Sequence, residues 1–324
     1  MKALVLVGGF GTRLRPVTYT VPKQLIPIAG KAMMYHVFDL LPPEVDEVVL
    51  ATGYKSEVIA DYVARHPIRV PIRCVPEREP LGTGGGMRNA GDGMSDPFLL
   101  LNSDVIADVS LPQMIVAHRQ HGGIGTMALA EVEDTKPFGV AALDGDDRIS
   151  HFVEKPEPKD APSHWINAGL AIWSSSVLTR IAPGVPSSFE QTYVPQLLAE
   201  GLYGFRFQGF WDDAGTPARL LNAQKFLFDA GRGGKGGLPP GALGSGPVAV
   251  GARVSARGAS FGKYVTLDDD VQVAAGAHVE NSVLMSGAIV EKEATVLGSV
   301  IGPGARVAAG HRASGVVLGE KGEA

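Results

Sequence analysis

The chain has 324 residues, 45% of them hydrophobic and 19% charged, with a formal net charge of -5. That length allows two domains, each with its own core, and the negative balance excludes the broad basic field that duplex nucleic acid demands. The single Cys74 excludes an intrachain disulfide and a thiolate metal cluster and fits a reducing cytoplasm, and the opening MKALVLVGGF is too short in apolar residues for a secretion signal or a membrane span.

Up to residue 230, short apolar runs alternate with stretches of helical period, the pattern of an α/β domain with a mostly parallel sheet. Expected strands are residues 3–7, 47–51, 69–75, 97–101, 124–130 and 166–172. Helices are expected in KSEVIADYVARH, with Val58, Ile59, Tyr62 and Val63 on one face, and in LPQMIVAHRQH, with Met114, Ile115 and His118 on one face. Residues 231–247 are so rich in glycine and proline that they read as a linker. From 248 to 324, GARV, GAHV, GAIV and EATV recur. Val254, Val279, Leu284, Val290, Val296, Ile301 and Val307 are spaced by five or six residues where the repeat is clearest. One apolar residue in six, with small residues at the corners, is the pattern of a parallel β-helix whose triangular coils send one side chain per face inward.

The loop GGFGTRLRPVTYTVPKQ, residues 8–24, follows the first expected strand. It is not a full dinucleotide fingerprint, because Leu14 stands at the third glycine position and Pro16 leaves no room for a long helix. No P-loop Lys-Ser/Thr pair is present either. Gly8, Gly9 and Gly11 let backbone N–H groups approach an anion, with Thr12, Arg13, Arg15 and Lys23 nearby, which suits a triphosphate; a turn with solvated arginines is the plainer alternative.

This loop resembles the signature of sugar-nucleotide pyrophosphorylases. The resemblance continues, in family order, through EPLGTGGGMRNA, LNSDVIADV, FGV, FVEKP, INAGLAIW and GFWDDAGTP. It spans nearly the whole chain and implies a Rossmann-like nucleotidyltransferase domain over 1–230, followed by a left-handed parallel β-helix of hexapeptide repeats. The implied reaction joins a hexose 1-phosphate to a nucleoside triphosphate and releases pyrophosphate. A sugar phosphate, with a second pKa of about 6, is already mostly dianionic at neutral pH, so no general base is needed. The work is to hold anions in line and neutralise them.

The resemblance implies catalytic roles for Arg13, Lys23 and Asp104, and a nucleotide site of Val7, Gly8, Gly9, Gly11, Thr12, Arg13, Gly82, Thr83 and Asp104, with Gly82 and Thr83 against the base. It implies a sugar-phosphate site of Gly139, Glu154, Lys155 and Asn167, and Mg2+ held by Asp104 and Asp213. Asp212 is the rival ligand, since neighbours in an extended segment face opposite ways. LNSDV, PLGTGG, FVEKP and QGFWDDAGTP look most like mannose-1-phosphate guanylyltransferases, whereas Gln24 is as in glucose-1-phosphate thymidylyltransferases. GTP with mannose 1-phosphate is the expected pair, and dTTP with glucose 1-phosphate the alternative. A regulatory subunit that only binds nucleotide sugar is disfavoured by the intact loop and aspartates. An acyltransferase β-helix is disfavoured because His278 and His311 stand isolated in turn-like contexts. A homo-oligomer that uses the β-helix is expected.

Overall fold

A computed structural model describes residues 1–234 and 237–324; Lys235 and Gly236, inside the expected linker, lie outside the described residues. The chain divides into two compact units, Met1–Gly9 with Val37–Trp211, and Phe10–His36 with Asp212–Ala324.

The first unit is built on a nine-stranded sheet. Its centre is β1 (Lys2–Val7), parallel to β2 (Glu47–Thr52) on one side and to β4 (Phe98–Asn102) on the other, with β3 (Ile72–Pro76) parallel beyond β2. On the far side of β4 the long β8 (Trp165–Trp173) runs antiparallel. It carries β5 (Gly125–Glu131) and touches the hairpin of β6 (Gly139–Leu143) and β7 (Ile149–Glu154), while β9 (Leu202–Arg206) runs parallel to β5. Strands β1 and β2 are apolar almost throughout and buried, as strands covered on both faces must be.

The helices follow local signals where these exist. In α1 (Ser56–Arg65), Ile59 and Val63 are buried and Val58 and Tyr62 half-buried, the expected face. α3 (Leu111–His121) starts at Ser110, whose hydroxyl accepts from Gln113 N, and stops at Gly122. The expected strand at 69–75 starts only at Ile72, because Pro71 has no N–H to give a ladder and the Arg69 guanidinium donates instead to the Val45 carbonyl at 2.9 Å. α2 (Gly82–Ala90) is a helix despite four glycines in its first five residues. Tertiary packing overrides propensity there. A Cβ at Gly82 would lie 2.6 Å from the Ser187 carbonyl oxygen, and one at Gly85 2.8 Å from that of Val185. Gly84 N donates to Ser187 O and Ser187 N to Leu81 O. The short α4 (Phe189–Thr192) follows this clasp and packs on α2 and β7.

In the second unit, three parallel sheets form a β-helix. Ladder partners in one sheet are 17 residues apart, Val248 with Val265, Val265 with Ser282, and Val300 with Val317, so each coil has three faces and one of its three repeats is a residue shorter than a hexapeptide. Val279, Leu284, Val290, Val296, Ile301 and Val307 are all buried, and Val254 half-buried. Two expectations are corrected. The coil begins before residue 248: Leu243–Gly244 pairs with Ser260–Phe261, and Leu238 and Ala242 pack on the β-helix core, so part of the glycine-rich stretch is structured by its neighbours. His278 opens a strand rather than a turn, with Nδ1 3.0 Å from Ser260 Oγ.

The segment Phe10–His36 belongs to this unit through α5 (Pro217–Asp229). Gln224 of α5 is fully buried. Its amide donates to Tyr264 O (2.7 Å) and Ser282 O (3.4 Å) and accepts from Thr266 Oγ1 (2.6 Å) and Ala29 N (3.3 Å). That uses both donors and both lone pairs of the side chain. Among the described residues no helix is long and apolar enough to cross a membrane.

Candidate active site

In the first unit the parallel strands deliver the candidate residues to one edge. Gly8 and Gly9 leave β1 just after Val7, Gly53 N donates to Val7 O, Glu77 N to Thr52 O, and Ser103 N to Leu6 O, with Asp104 next in line and half-buried. These are the carboxyl ends of the strands, where open α/β sheets bind ligands. Gly82 and Thr83 open α2 at the same edge, but in an unexpected way. The Thr83 hydroxyl donates to Glu190 Oε2 at 2.5 Å and accepts from Phe189 N at 2.8 Å, so it is engaged within the protein, and the room beside Gly82 is filled by Ser187 O.

Two residues here escaped the sequence reading. Glu77 accepts from Leu81 N at 3.1 Å, and its other oxygen lies 2.5 Å from where a Gly86 Cβ would be. Burial pushes this carboxyl above the ordinary glutamate range, against the opposing Leu81 N–H. Glu190, on α4, accepts hydrogen bonds on Oε2 from the hydroxyls of both Thr83 and Ser188.

The sugar-side candidates lie on β6, β7 and β8. Glu154 ends β7 with Oε1 3.3 Å from Lys155 Nζ and with Oε2 buried and unpartnered among the described residues. Burial first, and then the negative charge of Glu190, raises its pKa. Gly139 leaves the space that the Phe152 ring and Glu154 Oε2 fill. Lys155 has a positive φ of 49° and an exposed side chain, and Asn167 Oδ1 accepts from Gly169 N at 3.0 Å.

In the second unit, the remaining loop residues meet the WDDAG segment. Gly11 has φ 57°, which a side chain would strain, and Thr12–Leu14 make a single tight turn with no longer helix behind it. Lys23, only 7% exposed, donates from Nζ to Asp213 O at 2.7 Å. Arg13, more than half exposed, has Nη2 3.6 Å from Asp213 Oδ2. Asp213 Oδ1 accepts from Gly215 N at 2.9 Å and lies 3.0 Å from Arg219 Nη1. Asp212 is turned inward, 5% exposed, and its Oδ1 accepts from Ala214 N and Arg219 Nε. Burial raises the Asp212 pKa, and Arg219 and the Ala214 N–H offset part of that cost.

The donor chemistry suits a small divalent cation. Asp104 in the first unit and Asp213 in the second each offer hard carboxylate oxygens, and among the described residues no group of three or more His, Cys, Asp or Glu could hold a metal by itself. A cation held by either carboxylate would take the rest of its shell from substrate phosphate and water, as Mg2+ does.

Residues 2–230 match the nucleotidyl transferase family, and residues 245–324 match the GMPPB C-terminal domain. The chain is 37% identical over 317 residues to mannose-1-phosphate guanylyltransferase 1 of Arabidopsis thaliana, covering 93% of this chain and 86% of the relative. It is 42% identical over 229 residues to the mannose-1-phosphate guanylyltransferase catalytic subunit beta of Danio rerio, covering 68% and 63%. The crystal structure of HddC from Yersinia pseudotuberculosis complexed with GMP-PN superimposes with a TM-score of 0.58 at 26% identity, over 70% of this chain and 99% of that one. With the ordered motifs and the β-helix, these matches identify the chain as a member of the nucleotidyl transferase family.

Proposed function

We propose that the protein is a mannose-1-phosphate guanylyltransferase, which joins GTP and mannose 1-phosphate into GDP-mannose and pyrophosphate. Nucleotidyltransferases of this kind take a nucleoside triphosphate and a sugar 1-phosphate and work with a divalent metal; Mg2+ held by Asp104 and Asp213 is our reading for this chain. The relatives named for that reaction, one of them matched over 93% of the chain, support the substrate pair. The geometric observation that carries the reading is the meeting of Lys23 and Arg13 with Asp213: loop cations and a carboxylate within one unit, where opposed charges of substrate and metal can be shared.

In this account Val7, Gly8, Gly9, Gly11, Thr12 and Arg13 hold the triphosphate, and Gly82 with Thr83, already packed on Ser187 and Glu190, supports the base site from behind instead of touching the base. Glu77 joins them, because a carboxylate accepts from the N1–H and 2-amino donors of guanine. Gln24 is 3% exposed, so its identity answers to packing in the second unit rather than to the base. Gly139, Glu154 and Asn167 take the sugar, and Lys155 its phosphate. The sugar phosphate oxygen attacks the α-phosphorus and pyrophosphate departs, while Lys23 and Arg13 neutralise charge on the phosphoryl oxygens. Bound metal supplies further positive charge at the phosphates. Residues 1–230 form the catalytic domain, and the β-helix, whose first paired strand is Leu243–Gly244, is the part through which a cytoplasmic homo-oligomer assembles.

The test is pyrophosphate release with Mg2+ by wild type and Asp104→Asn. Loss of turnover in the variant with its fold intact supports the assignment, and unchanged turnover removes Asp104 from the site.

A further inference from the structure

The two adjacent aspartates differ in burial and in their backbone partners, and one side chain is shared between them. Arg219 stands in the first turn of α5, where Thr216 Oγ1 caps its backbone N–H at 3.3 Å and Pro217 opens the helix. Its guanidinium spans the pair, Nε 2.9 Å from Asp212 Oδ1 and Nη1 3.0 Å from Asp213 Oδ1. Asp212 is buried and has the Ala214 N–H as a second partner at 2.7 Å, so it is a fixed anchor for the fork.

At Asp213 the consequence is asymmetric. Oδ1 is taken by Gly215 N and Arg219 Nη1, whereas Oδ2 faces Arg13 at 3.6 Å, beyond hydrogen-bond distance. A planar guanidinium holds two carboxylates in fixed relative orientation, which a lysine ammonium cannot do.

We propose that Arg219 is a positioning residue: anchored on Asp212, it binds one oxygen of Asp213 and turns the other outward as the single oxygen that Asp213 gives to a divalent cation. This rests on the reading of Asp213 as a metal ligand. It also gives the neighbouring Asp212 a purpose, since its carboxylate orients Arg219 and never reaches the cation.

The test uses the full chain and Mn2+ as probe, titrated in the presence of GTP without sugar phosphate and followed by electron paramagnetic resonance, alongside the Mg2+ dependence of pyrophosphate release. Arg219→Gln should weaken Mn2+ binding by about tenfold, the lower end of what removing an outer-shell partner does. The half-saturating Mg2+ concentration should rise to match, the KM for mannose 1-phosphate should stay put, and Arg219→Lys should fall in between. Asp212→Asn, whose amide oxygen can still accept from Ala214 N and Arg219 Nε, should hold affinity within about threefold of wild type.

Mn2+ affinity of a folded Arg219→Gln within twofold of wild type overturns the proposal. So does an equal rise in the mannose 1-phosphate KM, which marks general loosening, or a tenfold loss in Asp212→Asn, which makes Asp212 the ligand. Wild type that binds no Mn2+ with GTP present removes the metal role of Asp213 itself, and this inference with it. Wild-type binding with an unaffected Arg219→Gln removes the inference alone.

Discussion

Lys23 Nζ donates to the main-chain carbonyl of Asp213 at 2.7 Å, which ties the end of the glycine-rich loop to the WDDAG segment 190 residues later. The bond does two things: it fixes a buried ammonium, and it leaves the Asp213 carboxylate to Arg13, Arg219 and the Gly215 N–H. Lys23→Met should lower kcat by about 100-fold or more, as removal of one preorganised charge donor does. Asp213→Asn should instead raise the Mg2+ requirement. Steady-state pyrophosphate release separates the two, and a Lys23→Met enzyme within fivefold of wild type would contradict the role.

Glu154 makes a prediction with a sign. Its pKa lies above the usual glutamate value of 4.5, because burial and then Glu190 disfavour the charged form. The unfolded chain therefore ionises first as pH rises, and the native state loses stability as pH climbs from 4.5 through the raised value. Glu154→Gln should melt above wild type at pH 8, and the gap should close as pH falls to 4. A gap that is constant with pH, or reversed, would refute the assignment. The same variant should raise the KM for the sugar phosphate, since the unpartnered Oε2 is then lost as an acceptor.

Gln224→Leu should destabilise the second unit. It leaves Ala29 N, Tyr264 O and the Thr266 hydroxyl without their partner, and stranded buried polar groups of this kind cost about 2–4 kcal/mol together. Thermal melting measures this, and an unchanged midpoint would contradict it.

The outline of this structure was legible where physics is local. Apolar runs gave the strands β1, β2 and β4 to within a residue or two, the one-sided spacing of Met114, Ile115 and His118 gave α3, and the six-residue valine spacing gave the β-helix. What stayed hidden depends on distant partners. The glycines of α2 make sense only once Val185 and Ser187 are seen against them, and β6 and β9, with small residues and no β-branched run, become strands through their neighbours in the sheet. In the candidate site, motif order named the loop, the aspartates and the FVEKP pair. Glu77 and Arg219 were missed because their meaning lies in what they touch, Leu81 N and two carboxylates.

For assembly, static light scattering of the full chain should give a multiple of the 33.9 kDa monomer mass. A monomer at micromolar concentration would remove the β-helix as an assembly surface.

The most direct test of the central claim is a substrate panel: pyrophosphate release with Mg2+ from each of GTP, ATP, UTP and dTTP, paired with mannose 1-phosphate and glucose 1-phosphate. We predict the highest kcat/KM for GTP with mannose 1-phosphate. The highest value for dTTP with glucose 1-phosphate, or no turnover with any pair, would contradict the account.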